Sequence, residues 1–262
     1  MQYDLNTIKS SRIVSQNNTQ HANVQSVTTQ RSHSTFKAVD GGRQQWPLEC
    51  WVVRHGETIE NRTRVIAGQN ASPLTEHGQE QAKLLGKRLQ HVVFDAIYIS
   101  DLNRTKQTAD AIIRAMGPDH RAKVFTDRRL REKKCGEGYE GQPIGYIEQM
   151  RKLSGQSHRV FRPAAGESWE DVSQRAHSFL LEILSRYCTS PEHQRILIIT
   201  HGGFISEFLS LAVGGVPNHA KNCSVFVLEC SQDHSEIPQF CLKISNDVSH
   251  VRSFSSVSLL RT

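Results

Sequence analysis

The chain has 262 residues, 37% of them hydrophobic, and a net charge of +6. That length supports one full core with residues to spare for a tail. No apolar run is long enough to span a bilayer, no signal-peptide region opens the chain, and no dense Lys/Arg run marks a nucleic-acid surface, so the positive charge suits a small anionic partner instead.

Residues 1–46 are rich in Ser, Thr, Asn and Gln and lack periodic apolar positions. They predict a disordered tail, with five basic residues against two acidic ones. Their acid-poor, arginine-containing composition also overlaps with a mitochondrial transit peptide, so the expected location is cytoplasmic, with mitochondria as the alternative. The six cysteines are scattered with no CxxC pair, which predicts free thiols in a reducing compartment.

From Pro47 onward strand and helix patterns alternate, predicting one domain over 47–251. Leu48–Val53 reads as the first strand. After a polar loop, Leu74-Thr75-Glu76-His77-Gly78 opens a helix carrying Ala82, Leu85 and Leu89, with Thr75 as N-cap. Phe94–Ser100 reads as a strand and Asp101–Met116 as a helix stopped by Gly117-Pro118. Val124-Phe125 suggests a short strand before the charged segment 128–134. The stretch 136–166 is loop-rich, with a helix near Ile144–Leu153. Glu167–Cys188 reads as a long amphipathic helix, Ile196–Thr200 as a strand and Phe204–Val213 as the following helix. Val225–Glu229 and Phe240–Ile244 close as strands, antiparallel at the sheet edge, before a short flexible tail at 252–262. The alternation predicts an α/β fold, a three-layer α/β/α sandwich around a mostly parallel sheet.

Two histidines follow buried-strand patterns and precede glycine: His55-Gly56 after Cys50–Val53 and Arg54, and His201-Gly202 after Ile196–Thr200. Ligands of open α/β sheets collect beyond the carboxyl ends of the strands, so both imidazoles are expected in one pocket. That pairing is a pattern for phosphoryl transfer through histidine.

Further phrases occur in order: Arg54-His55-Gly56-Glu57-Thr58 with Asn61, Leu74-Thr75 with Gly78 and Gln81-Ala82, Ser100-Asp101-Leu102 with Arg104-Thr105, Gln107-Thr108-Ala109, Leu130-Arg131-Glu132, Gly166-Glu167-Ser168 and His201-Gly202. On these the chain resembles the histidine phosphatase superfamily in its phosphoglycerate mutase branch, over roughly residues 48–250. Residues 100–108 and 129–134 are most similar to TIGAR-type fructose-2,6-bisphosphatases.

The resemblance implies a phosphoglycerate mutase-like fold and a catalytic set of His55, Arg54, Arg104, His201 and Glu132. A neutral His55 imidazole is a competent nucleophile near pH 7. Arg54 and Arg104 suit the equatorial oxygens of the transferring group, because guanidinium binds phosphate as a planar fork. A protonated His201 would add a third positive donor. Glu132 would give a proton to the leaving oxygen and then take one from water. Asn61, Gly68, Gln69 and Gly202 are the expected substrate contacts. Chemistry of this kind needs no metal or cofactor, and the chain has no HExxH motif.

The chain also departs from the family. One extra residue separates Gly136 from Glu140-Gly141, which leaves Glu137 as a second candidate acid. The run Gly136–Gly141 matches GxGxxG but follows no buried strand, so it does not read as a dinucleotide site. The connection from Cys188 to Arg195 is short where vertebrate TIGAR proteins carry an insertion, which points to a different substrate preference. The insertion and paired-arginine tryptophan motif of phosphoglycerate mutases are absent from 142–165. Arg151, Lys152, Arg159 and Arg162 in that segment either grip a second phosphate or are solvated charge. The expected activity is hydrolysis of a small phosphorylated metabolite, sharpest as a sugar bisphosphate, fructose-2,6-bisphosphate. A phosphoglycerate mutase, a broad phosphomonoesterase and a phosphate-binding scaffold remain the alternatives, and the oligomeric state stays open.

Overall fold

A computed structural model of the chain describes residues 48–118, 120–188, 192–215, 219–232 and 238–251. The expected tails at 1–46 and 252–262 lie outside the described residues. The strands are β1 (Leu48–Arg54), β2 (Ala96–Ile99), β3 (Lys123–Thr126), β4 (Gln194–Thr200), β5 (Val225–Gln232) and β6 (Pro238–Asp247). They form one sheet in the order β3-β2-β4-β1-β5-β6. β3, β2, β4 and β1 are mutually parallel, while β5 and β6 run antiparallel at one edge, as the apolar alternation predicts.

Alternation along the strands divides the core in two. Leu48, Cys50 and Val52 of β1, with Ala96 and Tyr98 of β2, face a layer built by α5 (Trp169–Tyr187) and α6 (Gly202–Val213), through Ala176, Phe179, Ile183, Phe204 and Phe208. Val53, Ile97, Ile99, Leu197 and Ile199 face α2 (Glu76–Leu89) and α3 (Asn103–Met116), through Ala82, Leu85 and Ile112. Helices on both faces make the three-layer sandwich. Each fully buried Leu, Ile or Phe contributes about 1.5–3 kcal/mol, so the two clusters hold the layers together. α2 and α3 pack at Gly86, where a Cβ would stand 2.5 Å from the Ile112 carbonyl oxygen.

The caps follow the expected chemistry. Thr75 accepts a hydrogen bond from the Gly78 amide at the start of α2. Ser168 and Asp171 form a reciprocal box at the start of α5. Within the expected polar loop lies a five-residue helix, α1 (Ile59–Thr63), capped by Thr58 and Asn61. Between β3 and α5 come a single 3₁₀ turn at Arg128–Leu130, turns at 137–141, and α4 (Ile144–Ser154). The Gly136–Gly141 run is therefore a turn region, and neither follows a strand nor opens a helix.

The sheet also has a switch point. After β1 the chain leaves toward the α2/α3 face, and after β4 toward the α5/α6 face. The crevice between the carboxyl ends of these two adjacent strands is where ligands of such sheets bind.

Candidate active site

Parallel pairing of β1 with β4 sets Val53 opposite Ile199 and Arg54 opposite Thr200. The next residues are His55 and His201, and the His55 amide donates to the Thr200 carbonyl at 3.0 Å. The two rings lie with centroids 5.2 Å apart, and both residues are buried. A one-residue slip of either strand would turn one imidazole to the wrong face.

Hydrogen bonds assign the tautomers. His55 Nδ1 is 2.8 Å from the Gly56 carbonyl oxygen, which only accepts, so Nδ1 carries the hydrogen. Nε2 is left with its lone pair and no partner among the described residues. Burial, then the Arg104 and Arg54 guanidiniums, push the His55 pKa well below its ordinary value. His201 Nδ1 accepts from Arg104 Nε at 3.2 Å, so its Nε2 donates to Ser100 Oγ at 2.8 Å. Its pKa is likewise pushed well down by burial first and by Arg104 next. His201 is thus held neutral here, not as the third cation the sequence suggests.

Arg104 is 1% exposed at the first turn of α3. It donates to the carbonyls of Gly68 at 2.7 Å and Asn70 at 3.3 Å. Arg54 donates to the Ala220 carbonyl at 2.7 Å, and its buried Nε has no partner. Neither guanidinium has a carboxylate within ion-pair distance among the described residues. Burial lowers both pKa values, with Glu132 the largest opposing influence. Two largely desolvated cations whose direct partners are a neutral imidazole and backbone carbonyls are costly unless an anion joins them.

Glu132 lies beside the second histidine: its Oε2 accepts from the Gly203 amide at 3.1 Å and its Oε1 from the Lys133 amide at 2.8 Å. Glu137, the reserve candidate, is exposed. A Cβ on Gly203 would fall 2.1 Å from Glu132 Oε1, whereas one on Gly202 would make ordinary contacts, 3.6 Å from Arg54 Nε and 3.7 Å from His219 Cε1.

The expected substrate contacts are spread unevenly. Asn61 accepts at Oδ1 from the Thr58 amide and from Asn222 Nδ2. The Gly68 carbonyl is taken by Arg104, and its φ of +51° requires the left-handed region. The Gln69 amide donates to Glu140 Oε1, its Nε2 to the Glu132 carbonyl, and its Oε1 accepts from Arg131. Gln69 therefore braces the Glu132 backbone.

Sequence reasoning missed two residues at the site. Asn222 donates to the His55 carbonyl at 3.0 Å as well as to Asn61. His219 stands across Gly202 from Arg54, and burial followed by Arg54 lowers its pKa. Their loop enters before β5, far along the chain, and only the sheet order brings it back. Lys133 is buried with its ammonium over the Trp169 ring, 5.3 Å from the centroid. Of the four basic residues considered for a second phosphate, three are already paired: Arg151 with Glu148, Arg159 with Glu207 and Arg162 with Asp171.

Comparison with known proteins agrees with this architecture. The sequence profile of the histidine phosphatase superfamily (branch 1) matches residues 50–242. A protein of Yersinia pestis named "Probable phosphoglycerate mutase GpmB" is 33% identical over 214 residues, covering 78% of this chain and 95% of that one. Among solved structures, YhfR of Bacillus stearothermophilus superposes with a TM-score of 0.65 at 31% identity, over 78% of this chain and 99% of its own. A phosphoglycerate mutase of Bacillus anthracis shares the fold, with a TM-score of 0.67 at 22% identity, over 81% and 99%. The chain belongs to the histidine phosphatase superfamily, branch 1.

Proposed function

We propose that the chain is a phosphatase that hydrolyses a small phosphorylated metabolite through a phosphohistidine at His55. The observation that carries this reading is the pairing of a neutral His55, unprotonated at Nε2, with two guanidiniums that have no ion pair among the described residues, the buried Arg104 and the half-buried Arg54, whose buried Nε has no hydrogen-bond partner. Such a pocket attracts a dianionic phosphoryl group and offers it a nucleophile.

In the first step the Nε2 lone pair forms the N–P bond, the ester P–O bond breaks, and Glu132 delivers its proton to the departing oxygen. The resulting imidazolium keeps its Nδ1 hydrogen on the Gly56 carbonyl. In the second step water attacks phosphorus, its proton passes to Glu132, the N–P bond breaks, and phosphate leaves. Arg54 and Arg104 hold the equatorial oxygens throughout, and His201 orients Arg104 by accepting from its Nε. No step uses a metal or a cofactor.

The finer reading is fructose-2,6-bisphosphate as substrate, in a cytoplasmic regulator of glycolysis. It rests on the resemblance of residues 100–108 and 129–134 to TIGAR-type enzymes. A phosphoglycerate mutase is the second reading, supported by relatives that carry that name at 33% identity. Phosphate release by the wild type and His55→Ala, in EDTA, against fructose-2,6-bisphosphate, fructose-1,6-bisphosphate and phosphoglycerates tests both. Loss of release in the variant, with acid-labile ³²P trapped on the wild type, is expected. Activity that survives the substitution would overturn the mechanism, and isomerised phosphoglycerate without net phosphate release would favour the mutase.

A further inference from the structure

Among the described residues, a cavity of about 430 Å³ opens beside Arg54, and neither Arg104 nor His201 lines it. Its polar lining is Arg54, His219, Lys221, Asn222 and Gln81, with no acidic residue; two valines supply much of the rest. The buried Arg54 Nε has no hydrogen-bond partner. Lys221 spends its amide on Asn246 Oδ1, while its side chain is exposed and without an ion pair among the described residues. Asn222 joins this wall directly to the His55 carbonyl. A concave surface carrying a guanidinium, an ammonium and an imidazole, and no carboxylate, is matched by an anion. Arg151 of α4 and Arg159 and Arg162 after it are excluded from that task by their ion pairs with Glu148, Glu207 and Asp171.

We infer that the cavity bounded by Arg54, His219 and Lys221 is a second anion subsite, taking a phosphate or carboxylate distinct from the group that reacts at His55. This rests on the phosphatase reading above. The anion is either the second charged group of the substrate, which selects doubly anionic metabolites, or a free anion bound beside it. Lys221 is the specificity-determining residue of the subsite.

The test compares wild type and Lys221→Glu in full-length protein. Hydrolysis of p-nitrophenyl phosphate is inhibited by inorganic phosphate, with one anionic group, or by 2,3-bisphosphoglycerate, with several. The ratio of the two inhibition constants is expected to shift against 2,3-bisphosphoglycerate by about tenfold or more in the variant. Competitive inhibition by 2,3-bisphosphoglycerate assigns the subsite to the second group of one molecule. Mixed inhibition by phosphate that disappears in the variant assigns it to a free anion. A ratio that moves by less than about twofold overturns the subsite. If the wild type turns over no phosphoester, the phosphatase reading fails separately. Calorimetric titration of 2,3-bisphosphoglycerate into both proteins then decides the cavity: about tenfold weaker binding to Lys221→Glu supports it, and equal binding overturns it.

Discussion

In the proposed mechanism Glu132 and His55 divide the chemistry between them, and their surroundings predict how each responds to perturbation. Glu132→Gln keeps an acceptor for the Gly203 amide but has no proton to give to the leaving oxygen. Turnover of alkyl phosphates should fall by about 10²–10⁴-fold, and p-nitrophenyl phosphate, whose leaving group departs without protonation, should suffer far less. Equal losses on both substrates would remove Glu132 from the proton path. His55 responds to pH. Burial and the two guanidiniums favour its neutral form, so the base persists as pH falls below the ordinary 6.5. The acid limb of kcat/KM should therefore lie below pH 6.5, and a limb at or above that value would contradict the arrangement. The pairing of His55 with His201 was legible in the sequence because each histidine ends a strand pattern. The neutrality of His201 was not, since it depends on Arg104 Nε arriving at Nδ1 from 97 residues away.

At the scale of elements, the start of α6 is where packing meets catalysis. Gly202 and Gly203 are adjacent and chemically identical, yet a methyl group at Gly203 collides with Glu132 Oε1 while one at Gly202 finds ordinary contacts. Glu132 is the flexible partner in that collision, so Gly203→Ala should fold and lose activity by about 10²-fold or more, through displacement of the carboxylate. Gly202→Ala should retain activity, with stability within about 1 kcal/mol of wild type. Thermal melts and p-nitrophenyl phosphate kinetics on the two variants separate the effects, and a reversed order would refute this account of the helix start. The strand–helix sequence itself was readable from periodicity, because two-residue and 3.6-residue repeats coincide with the two core faces. The short helix α1 was hidden: five residues carry too little period, and its capping box uses Asn61 where Glu or Gln is the usual signal. The pairing of Arg159 with Glu207, 48 residues apart, has no local signature either, which is why that arginine read as a free cation.

For the molecule as a whole, the switch point that creates the crevice also imposes a stability cost at low pH. His55 and His201 are fully enclosed, and burial, followed by a neighbouring guanidinium, depresses both pKa values. A third histidine, His250, packs near Arg88 after β6; burial first and Arg88 next bring its pKa to about 4. In each case the folded pKa lies below the unfolded value near 6.5, so the unfolded chain binds protons first as pH falls. Stability supplied by the neutral imidazoles is complete above pH 6.5 and is lost as pH drops from 6.5 toward the folded values. His250, with its folded value at about 4, costs about 1.4 kcal/mol per pH unit in that window, and His55 and His201 act in the same direction. Urea unfolding should show a midpoint nearly constant from pH 8 to 7 that falls steeply below 6.5, before carboxylates titrate. Replacing His250 with Gln removes the contribution that lies outside the active site and should make the decline between pH 7 and pH 5.5 shallower by about 1 kcal/mol. A decline unchanged by that substitution, or a midpoint constant down to pH 5, would mean that the histidines are not held neutral by burial.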